Sequence, residues 1–213
     1  MSIFCGIDLN AVKGVLMDID NTLYAYDPCH QHALKCCYEK FKDIEKQASF
    51  SNFVLAYTDA QAAVKKNLTS QAAGHSRLLY FQRLFENKFG RTDIDSAVRF
   101  EDLYWKSFYV KMSLRPGVED FFKNCNSLGV IICLITDLSA KRQFEKIKFL
   151  KIDPYINFIV SSEEAGIEKP GTAIFKLALE KIGLLPEQVI MIGDNYKKDI
   201  LGAKKMGLKA FLV

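Results

Sequence analysis

The sequence has little proline in its first half and no long hydrophobic run. Its five prolines lie at positions 28, 116, 154, 170 and 186, so the segment 29–115 has none. The longest apolar runs, such as VIICLI at 130–135, are far shorter than the roughly 20 residues that a membrane helix needs. We therefore expect no membrane span, and we expect long, unbroken helices in the proline-free segment.

The chain also lacks a strong excess of charge of one sign. Lys and Arg number 29 against 25 Asp and Glu, which gives a net charge of +4. Such a mild and scattered positive charge argues against nucleic acid and against a membrane surface as partners. With 49% hydrophobic residues in 213, the chain can bury one substantial core and carry a second, smaller lobe. We expect a soluble, folded protein that is a monomer or a homodimer.

Neither a CxxC pair nor a secretory signal is visible. The N-terminal MSIFCGIDLNAVKG has no basic region before an apolar stretch, and Asp8 interrupts it, so we expect a cytoplasmic location. In that reducing compartment cysteines serve as small apolar residues. The segment CHQH at 29–32 is compatible with a metal site but lacks a second ligand pair elsewhere. The cysteines are Cys5, Cys29, Cys36, Cys37, Cys125 and Cys133.

Two patterns of apolar residues divide the chain. The proline-free segment has only Gly74 and Gly90 as glycines and repeats apolar residues at near-helical intervals, which predicts a helical lobe over 27–113. The remainder, 1–26 and 114–213, alternates short apolar runs with amphipathic segments. That alternation is typical of a parallel sheet covered on both sides by helices. The prediction is an α/β protein with a Rossmann-like sheet, and with a helical domain inserted after the first strand.

Polar residues follow the predicted strands at the point where each strand ends. Asp18 and Asp20 follow GVLM, and Thr136 and Asp137 follow VIICLI. Asp194 follows VIMIG at 189–193. Strands often end in polar turn residues, but ligands of open parallel sheets bind at these carboxyl ends. Carboxylates held together repel one another unless a cation is present, and Mg²⁺ suits such acids together with a substrate phosphate. The pattern indicates a magnesium site for phosphate chemistry.

Four segments in order resemble the motifs of the haloacid dehalogenase (HAD) superfamily of phosphotransferases. They are DIDNTL at 18–23, LITD at 134–137, EKP at 168–170 and GDNYKKDI at 193–200. The resemblance implies a HAD-like core at 1–26 and 114–213, with 27–113 in the place of the helical C1 cap. It also implies transfer of a phosphoryl group through an aspartyl-phosphate intermediate.

The resemblance assigns roles to the matching residues. It implies that Asp18 is the nucleophile and a Mg²⁺ ligand. Asp20 would be the general acid and base, with its backbone carbonyl as a second metal ligand. Residues i and i+2 of an extended strand point the same way, so both carboxyl groups can face one phosphate. Lys169 would neutralise charge in the transition state. Asp194 would be the third metal ligand.

Further residues would support this machinery. Thr136 and the backbone N–H of Asp137 would bind the phosphoryl oxygens. Thr22 would steady the catalytic loop or serve as a simple turn residue. Asn195 would support the metal's water shell, and Asp199 would do so too or orient Lys169. An acid at position 137, where relatives often carry Asn or Gly, could affect specificity.

The resemblance leaves the substrate open. Asp20 weighs against a dehalogenase, which needs no acid for an oxygen leaving group, and an ion pump needs membrane spans. The motifs look most like the C1-capped phosphatases near the pyrimidine 5′-nucleotidases and N-acylneuraminate-9-phosphatases. We expect a phosphatase acting on a small phosphorylated metabolite, a nucleotide or a sugar phosphate. The alternatives are a phosphomutase that uses the same acids, and a non-catalytic binding protein on the same fold.

The start of the inserted domain supplies the candidates for substrate contact. These are Tyr24, Tyr26 and His30, with His32 nearby. A histidine on an early helix of the insertion is more often a packing or surface residue. The many aromatic residues of 27–113 at helical spacing are expected to form a core rather than a stacking surface for a base.

Overall fold

The computed structural model describes Phe4 and residues 6–213, so Cys5 lies outside the described residues. Its internal contacts divide the chain into two compact units. We call Met1–Ala25, Ser70–Ala72 and Ser113–Val213 the sheet unit, and Tyr26–Thr69 with Ala73–Met112 the helical unit. The interpretation of the two units as a HAD-like core and a C1 cap stays a prediction.

The sheet unit contains a parallel sheet, as predicted. Within the described residues it has five strands in the order β3-β2-β1-β4-β5, and every pairing is parallel. Gly14 in the central strand pairs with Ile131 on one side and Val189 on the other. The strands are β1 (Gly14–Met17), β2 (Ile131–Thr136), β3 (Phe158–Ser161), β4 (Val189–Gly193) and β5 (Lys209–Leu212).

Burial follows position in the sheet. Every residue of β1 and β4 is buried, and so is β2 after Ile131, because these strands have neighbours on both edges and cover on both faces. The edge strands β3 and β5 are partly exposed. The expectation of strands that are apolar on both faces is therefore confirmed for the three central strands only.

Helices follow the strands in the sheet unit and cover the sheet. The helix Thr172–Ile182 places Ile174, Phe175 and Ala178 against Leu16, Cys133 and other buried strand residues in one apolar core. The predicted α/β fold class is thereby confirmed. The helices of this unit are α5 (Val118–Ser127), α6 (Ala140–Leu150), α7 (Ser162–Ala165), α8 (Thr172–Ile182) and α9 (Leu201–Lys205).

In the helical unit, apolar and aromatic side chains repeat along each helix and meet in a core. Ser76 begins its third helix by accepting a hydrogen bond from the Leu79 N–H, and Gly90 ends that helix at a φ of +69°. The aromatic core expected from the sequence is present and includes Phe81, Phe85 and Phe100, all fully buried. The helices are α1 (Tyr26–Phe41), α2 (Phe50–Asn67), α3 (Arg77–Phe89) and α4 (Ile94–Val110).

Across residues 6–213 no helix is both long enough and apolar enough to cross a membrane. The five cysteines in the described part of the chain are free thiols, and all but Cys36 are buried, in keeping with their expected role as small apolar residues.

Candidate active site

The carboxyl ends of β2, β1 and β4 lie side by side, because these three strands are neighbours in the sheet. Thr136 ends β2, Asp18 follows β1, and Asp194 follows β4. The structure therefore brings the predicted residues of three separate motifs to one edge of the sheet, as expected for a parallel sheet.

Asp18 lies at the centre of this edge and is almost fully buried, with 6% of its surface exposed. Its Oδ1 lies 2.6 Å from the Lys169 Nζ, and its Oδ2 accepts a hydrogen bond of 3.0 Å from the Thr22 hydroxyl. The Thr22 Oγ1 also lies 3.5 Å from Asp194 Oδ1. Thr22 thus links two of the acids and fixes the orientation of the Asp18 carboxylate.

The Lys169 ammonium is buried between acids. It donates to Asp18, to Asp199 Oδ1 at 2.8 Å and to the Ile135 carbonyl at 3.1 Å. Burial acts to lower the pKa of Lys169, but the carboxylates of Asp18 and Asp199 outweigh it and hold that pKa above its usual range. Lys169 is therefore a permanent cation beside the predicted nucleophile.

Both carboxylate oxygens of Asp199 accept hydrogen bonds. While Oδ1 accepts from Lys169, Oδ2 accepts the Asn195 N–H at 2.9 Å. A Cβ at Gly193 would overlap the Asp199 carboxylate, so glycine is needed there for the close approach. The Asn195 side chain accepts the Lys198 N–H at 3.0 Å and so caps the following turn. The geometry matches an orienting role of Asp199 toward Lys169, whereas metal support by Asn195 stays a prediction.

The acids at this edge fit a divalent cation. Carboxylate oxygens of Asp18, Asp194 and Asp199 all lie within 4.8 Å of one another. Burial raises the pKa of Asp18 to about 8, although the Lys169 charge opposes this, and Asp199 adds to the rise. Burial and Asp199 raise the pKa of Asp194 as well. The single ammonium of Lys169 cannot neutralise the three carboxylates. Mg²⁺ prefers hard oxygen ligands such as carboxylates, so these acids suit this ion.

Asp20 does not share that cluster of carboxylates. Its two oxygens lie 2.6 and 2.8 Å from the Nζ of Lys146, and the Tyr24 hydroxyl donates to its Oδ1. Lys146 comes from α6 and is fully buried. The side chain of Asp20 is thus held by a buried lysine and a buried tyrosine, and its predicted metal contact through the backbone carbonyl remains a prediction.

The Thr136 hydroxyl is oriented by a residue that the sequence did not indicate. Gln143 on α6 is fully buried, and its Nε2 donates to Thr136 Oγ1 at 2.7 Å and to the Asp137 carbonyl at 2.8 Å. Thr136 Oγ1 accepts this bond, and its own proton is donated to the Asp137 carbonyl in a long bond of 3.4 Å.

The unusual acid at position 137 has its own partners. Asp137 Oδ1 accepts the Lys169 backbone N–H at 3.0 Å, and Oδ2 lies 2.7 Å from the Nζ of Lys198. The next residue, Leu138, has a φ of +117°, a region that favours glycine, and its N–H donates to Ser162 Oγ at 2.9 Å. The carboxylate of Asp137 therefore ties the loop after β2 to two other segments.

The predicted substrate contacts fall into both units. Tyr24 belongs to the sheet unit, where it is fully buried against Asp20. Tyr26 and His30 belong to the helical unit, where their rings stack with centroids 5.5 Å apart and both side chains are half-buried. His32 is half-buried, with Nε2 3.7 Å from Cys36 Sγ. A role in substrate binding stays a prediction for all four.

The sequence did not identify Lys146 and Gln143 because AKRQFEKIKFL resembles an ordinary surface helix. One signal was available. Gln143 and Lys146 lie three residues apart, and Ile147 and Leu150 continue the same face toward the core. Polar residues on the apolar face of an amphipathic helix indicate buried partners.

The sequence of the chain is similar to one protein family and to several proteins named as phosphatases. The sequence model of one protein family, described as "Hydrolase: haloacid dehalogenase-like hydrolase", matches residues 12–207. The chain is 32% identical over 198 residues to the "Ribulose-1,5-bisphosphate 5-phosphatase" of Halopiger xanaduensis, covering 93% of this chain and 83% of that protein. It is 26% identical over 202 residues to the "Glyceraldehyde 3-phosphate phosphatase" of Methanothermobacter thermautotrophicus, covering 95% and 85%. Relatives named as phosphatases agree with the expected class of phosphoric monoester hydrolase.

The fold also matches solved structures. The crystal structure of a 2-haloacid dehalogenase from Pseudomonas syringae pv. Tomato DC3000 superposes with a TM-score of 0.75 at 20% identity, covering 94% of this chain and 86% of that one. At this level of identity the match supports the fold alone.

Proposed function

The chain belongs to the haloacid dehalogenase-like hydrolase family, and on that premise we propose that it is a magnesium-dependent phosphatase of a small phosphorylated metabolite. In this proposal the phosphoryl group passes through an aspartyl-phosphate intermediate on Asp18. One observation carries the proposal. The carboxylates of Asp18, Asp194 and Asp199 lie within 4.8 Å of one another, with the Lys169 Nζ 2.6 Å from Asp18.

In the first step a carboxylate oxygen of Asp18 attacks phosphorus, and the bond from phosphorus to the leaving oxygen breaks. Lys169 and Thr22 hold the Asp18 carboxylate in one orientation, through bonds of 2.6 and 3.0 Å. Lys169 also offsets the negative charge that builds between nucleophile and phosphate. Preorganised charges of this kind need no rearrangement during the reaction.

Asp20 moves the protons in both steps. It donates a proton to the leaving oxygen, then removes one from the water that attacks the aspartyl-phosphate, so that phosphate and free Asp18 are regenerated. Lys146 and the Tyr24 hydroxyl contact the Asp20 carboxylate and fix where that proton is held. We infer that Lys146 positions the general acid and base.

Thr136 and the backbone N–H of Asp137 would bind the phosphoryl oxygens. The amide of Gln143 donates to Thr136 Oγ1 at 2.7 Å and so positions this hydroxyl. Its proton, donated to the Asp137 carbonyl at 3.4 Å without substrate, would turn to a phosphoryl oxygen when substrate binds. The ammonium of Lys198, 2.7 Å from Asp137 and 3.3 Å from Glu168, offsets part of the charge of these two acids and so reduces their repulsion toward phosphate.

Asp18 and Asp194, with the backbone carbonyl of Asp20, would hold Mg²⁺, and Asp199 would support its water shell. When bound, the ion supplies Lewis-acid charge that screens the carboxylates from the phosphoryl group. Burial, and to a lesser degree the carboxylate of Asp199, raise the pKa values of Asp18 and Asp194, and a bound cation would favour the charged form of both carboxylates.

The substrate class is a phosphorylated sugar or nucleotide. Both relatives described above are named for sugar phosphates, which favours a phosphorylated sugar over a nucleotide as the substrate. The motifs also resemble those of pyrimidine 5′-nucleotidases and N-acylneuraminate-9-phosphatases, so nucleotides should be assayed as substrates too. In the same proposal 1–26 and 114–213 form the catalytic core, and 27–113 form a C1 cap. Tyr24 and Tyr26, at the end of the first core segment, and His30 in the cap would contact the substrate.

A phosphate-release screen tests the proposal. Nucleotides, sugar phosphates and phosphorylated acids are incubated with the full chain, with and without Mg²⁺. We expect turnover that needs Mg²⁺, disappears in Asp18→Asn and persists in Asp153→Asn, a matched change of an exposed aspartate. Replacement of Mg²⁺ by Ca²⁺ should suppress turnover, because its looser coordination can occupy both oxygens of Asp18.

Absence of turnover with every substrate, or full activity in Asp18→Asn, would overturn the mechanism. An isomerised sugar phosphate without free phosphate would instead identify a phosphomutase.

A further inference from the structure

The helical unit buries a cation that has no acidic partner among the residues that the structure describes. Arg77, the first residue of α3, is only 5% exposed. Throughout the described residues no carboxylate forms an ion pair with it, whereas the less buried Arg83 and Lys88 of the same helix pair with Glu86 and Glu45. Since the guanidinium of arginine keeps its proton in proteins, a full positive charge is buried here without a counter-charge.

Neutral groups hold the Arg77 guanidinium in place. Its carbon lies 5.5, 5.3 and 5.2 Å from the ring centroids of Tyr80, Tyr104 and Trp105. One terminal nitrogen donates to the His75 carbonyl at 2.6 Å, and the other donates to the Tyr26 hydroxyl. Aromatic faces attract a cation but do not cancel its charge. The side chain is fixed, and its charge remains uncompensated.

Two buried polar atoms beside these groups lack partners. The Nε of Arg77 and the hydroxyl of Tyr57 form no hydrogen bond within the described part of the chain. Buried donors that lack acceptors are uncommon in folded proteins and call for an explanation. A guanidinium that offers a free N–H to an oxygen acceptor is suited to bind an oxyanion.

A chain of hydrogen-bonding groups links Arg77 to less buried residues. The Tyr26 hydroxyl lies 3.5 Å from that of Tyr104, which lies 2.7 Å from His30 Nδ1. Tyr26 and His30 are half-buried, so this end of the chain is accessible. Burial, then the positive charges of Arg77 and Lys65, lower the pKa of His30 to about 4, so its imidazole is neutral at pH 7.

We propose that Arg77, together with Tyr26 and His30, forms a binding site in the helical unit for an oxyanion, a phosphate or carboxylate group distinct from the phosphate that is cleaved. The guanidinium supplies the charge, and the hydroxyl of Tyr26 and the imidazole supply polar contacts. The oxyanion is carried either by the substrate, in which case the inference rests on the proposed phosphatase function, or by a free anion. A bound oxyanion supplies the counter-charge that the described residues lack.

The first test uses the histidines as reporters and needs no enzymatic activity. The chain has three histidines, so imidazole NMR signals can be assigned with His30→Gln. Addition of inorganic phosphate to the full wild-type chain should raise the pKa of His30 from about 4 toward its ordinary value of about 6.5. His32 serves as the internal control and should not respond. Absence of a response at His30 overturns the site.

Two methionine variants of one helix identify the residue responsible. Arg77→Met should abolish the His30 response to phosphate. Arg83→Met changes a half-exposed arginine of the same helix, whose ion pair with Glu86 is long at 3.8 Å, and should leave the response intact. Circular dichroism checks that both variants fold. Should Arg77→Met not fold, Arg77→Lys retains the charge but loses the planar fork, and it should give a weakened response.

The second test separates the two sources of the anion. Turnover is compared for a sugar bisphosphate and the matched monophosphate that lacks the second group. For a substrate-borne anion, Arg77→Met should lower kcat/KM for the bisphosphate by about 10- to 100-fold, the range for a lost charged hydrogen bond. The monophosphate should change far less, and Arg83→Met should change neither.

The outcomes are distinct. Loss of the His30 response in Arg77→Met without a change in substrate discrimination supports a free anion. Equal loss for both substrates, with no His30 response in the wild type, shows a purely structural Arg77 and overturns the proposal. A His30 response in a chain that hydrolyses no phosphate ester would refute the proposed phosphatase function and leave the oxyanion site standing.

Discussion

The two units bury cations in opposite ways. In the sheet unit Lys146 and Lys169 are 0% and 3% exposed, and each has a carboxylate oxygen 2.6 Å from its Nζ. In the helical unit Arg77 is 5% exposed and has aromatic rings, a carbonyl and a tyrosine hydroxyl as neighbours. At the edge of the sheet one ammonium, that of Lys169, lies among the three carboxylates of Asp18, Asp194 and Asp199. In the part of the chain that the structure describes, no carboxylate pairs with Arg77.

This difference in buried charge suits the two units to ligands of opposite charge. Excess carboxylate favours a divalent cation, and an unbalanced guanidinium favours an oxyanion. Burial raises the pKa of Asp18 to about 8, with Asp199 adding to the rise, and burial lowers the pKa of His30 to about 4, with Arg77 adding to the fall. Each prediction below removes one element of that contrast.

Removal of Lys169 should have the largest effect. Lys169→Met leaves Asp18 and Asp199 buried without their cation, so the free energy of unfolding should fall by about 3–5 kcal/mol. Loss of charge stabilisation should lower phosphate release by about 10³-fold. Urea denaturation and turnover measure the two effects. Arg77→Met breaks no ion pair and should destabilise less.

Lys176→Met, an exposed change in the same unit, is the control and should behave like the wild type. A larger stability loss in Arg77→Met than in Lys169→Met would refute the contrast between the units.

Removal of Lys146 should impair proton transfer more than binding. Lys146→Met frees the Asp20 carboxylate, and general acid catalysis contributes about 10²-fold or more. Release of an alkyl leaving group, which needs the proton, should slow by about 10²-fold in pre-steady-state measurements. Release of p-nitrophenol, a good leaving group, should slow much less.

The matched control is Lys148→Met, an exposed lysine of the same helix, which should change neither rate. Equal slowing of both leaving groups in Lys146→Met would mean that Lys146 only supports the fold.

The helical unit should lose stability as the pH falls. Burial and the cations Arg77 and Lys65 lower the pKa of His30 from 6.5 to about 4, so the unfolded chain binds more protons between these values. The contribution is complete above pH 6.5 and is lost as the pH falls through about 4, a loss of about 3 kcal/mol. Denaturant titrations from pH 7.5 to pH 4 measure it, and His30→Gln should flatten this slope.

His32→Gln should retain the wild-type slope, because its side chain lies outside the Arg77 cluster. An unchanged slope in His30→Gln would contradict the assigned cause.

The smallest effect concerns the helix that carries Arg77. Ser76→Ala removes the side-chain oxygen that accepts the Leu79 N–H at 3.3 Å, and loss of such a cap costs about 1 kcal/mol. Thermal unfolding should report this loss. Ser76→Asp, which preserves the cap, should restore stability, and failure to do so would show that the hydroxyl acts in another way.

The sequence predicted the sheet and the residues at its edge because both follow local rules. Apolar runs such as VIMIG mark buried strands, and acids directly after them must reach the carboxyl edge. Asp18, Thr136 and Asp194 therefore lie where expected. The pairing of Asp199 with Lys169 was one of two alternatives, and the structure has that contact at 2.8 Å.

Contacts that depend on tertiary packing could not be read in the same way. Lys146 and Gln143 are ordinary helix residues in sequence, and only the packing of α6 makes them neighbours of Asp20 and Thr136. Arg77 stands in GHSRLLYF without a visible reason for burial, because the aromatic rings that contact it, such as Tyr104 and Trp105, come from another helix of the helical unit. Whether a carboxylate lies near Arg77 depends on how the helices pack, so it cannot be read from the residues next to Arg77 in sequence.

The pairing of β1 has a consequence for how the protein folds as it is synthesised. Gly14 leaves the ribosome early, but its partners Ile131 and Val189 appear only after the whole helical unit has been made. Contacts so distant in sequence fold slowly, and domains tend to fold as units during synthesis. The central strand, synthesised first, must remain unpaired while the helical unit has the time to fold. Two apolar residues of this strand, Val15 and Leu16, are thus a point of vulnerability to aggregation in the nascent chain.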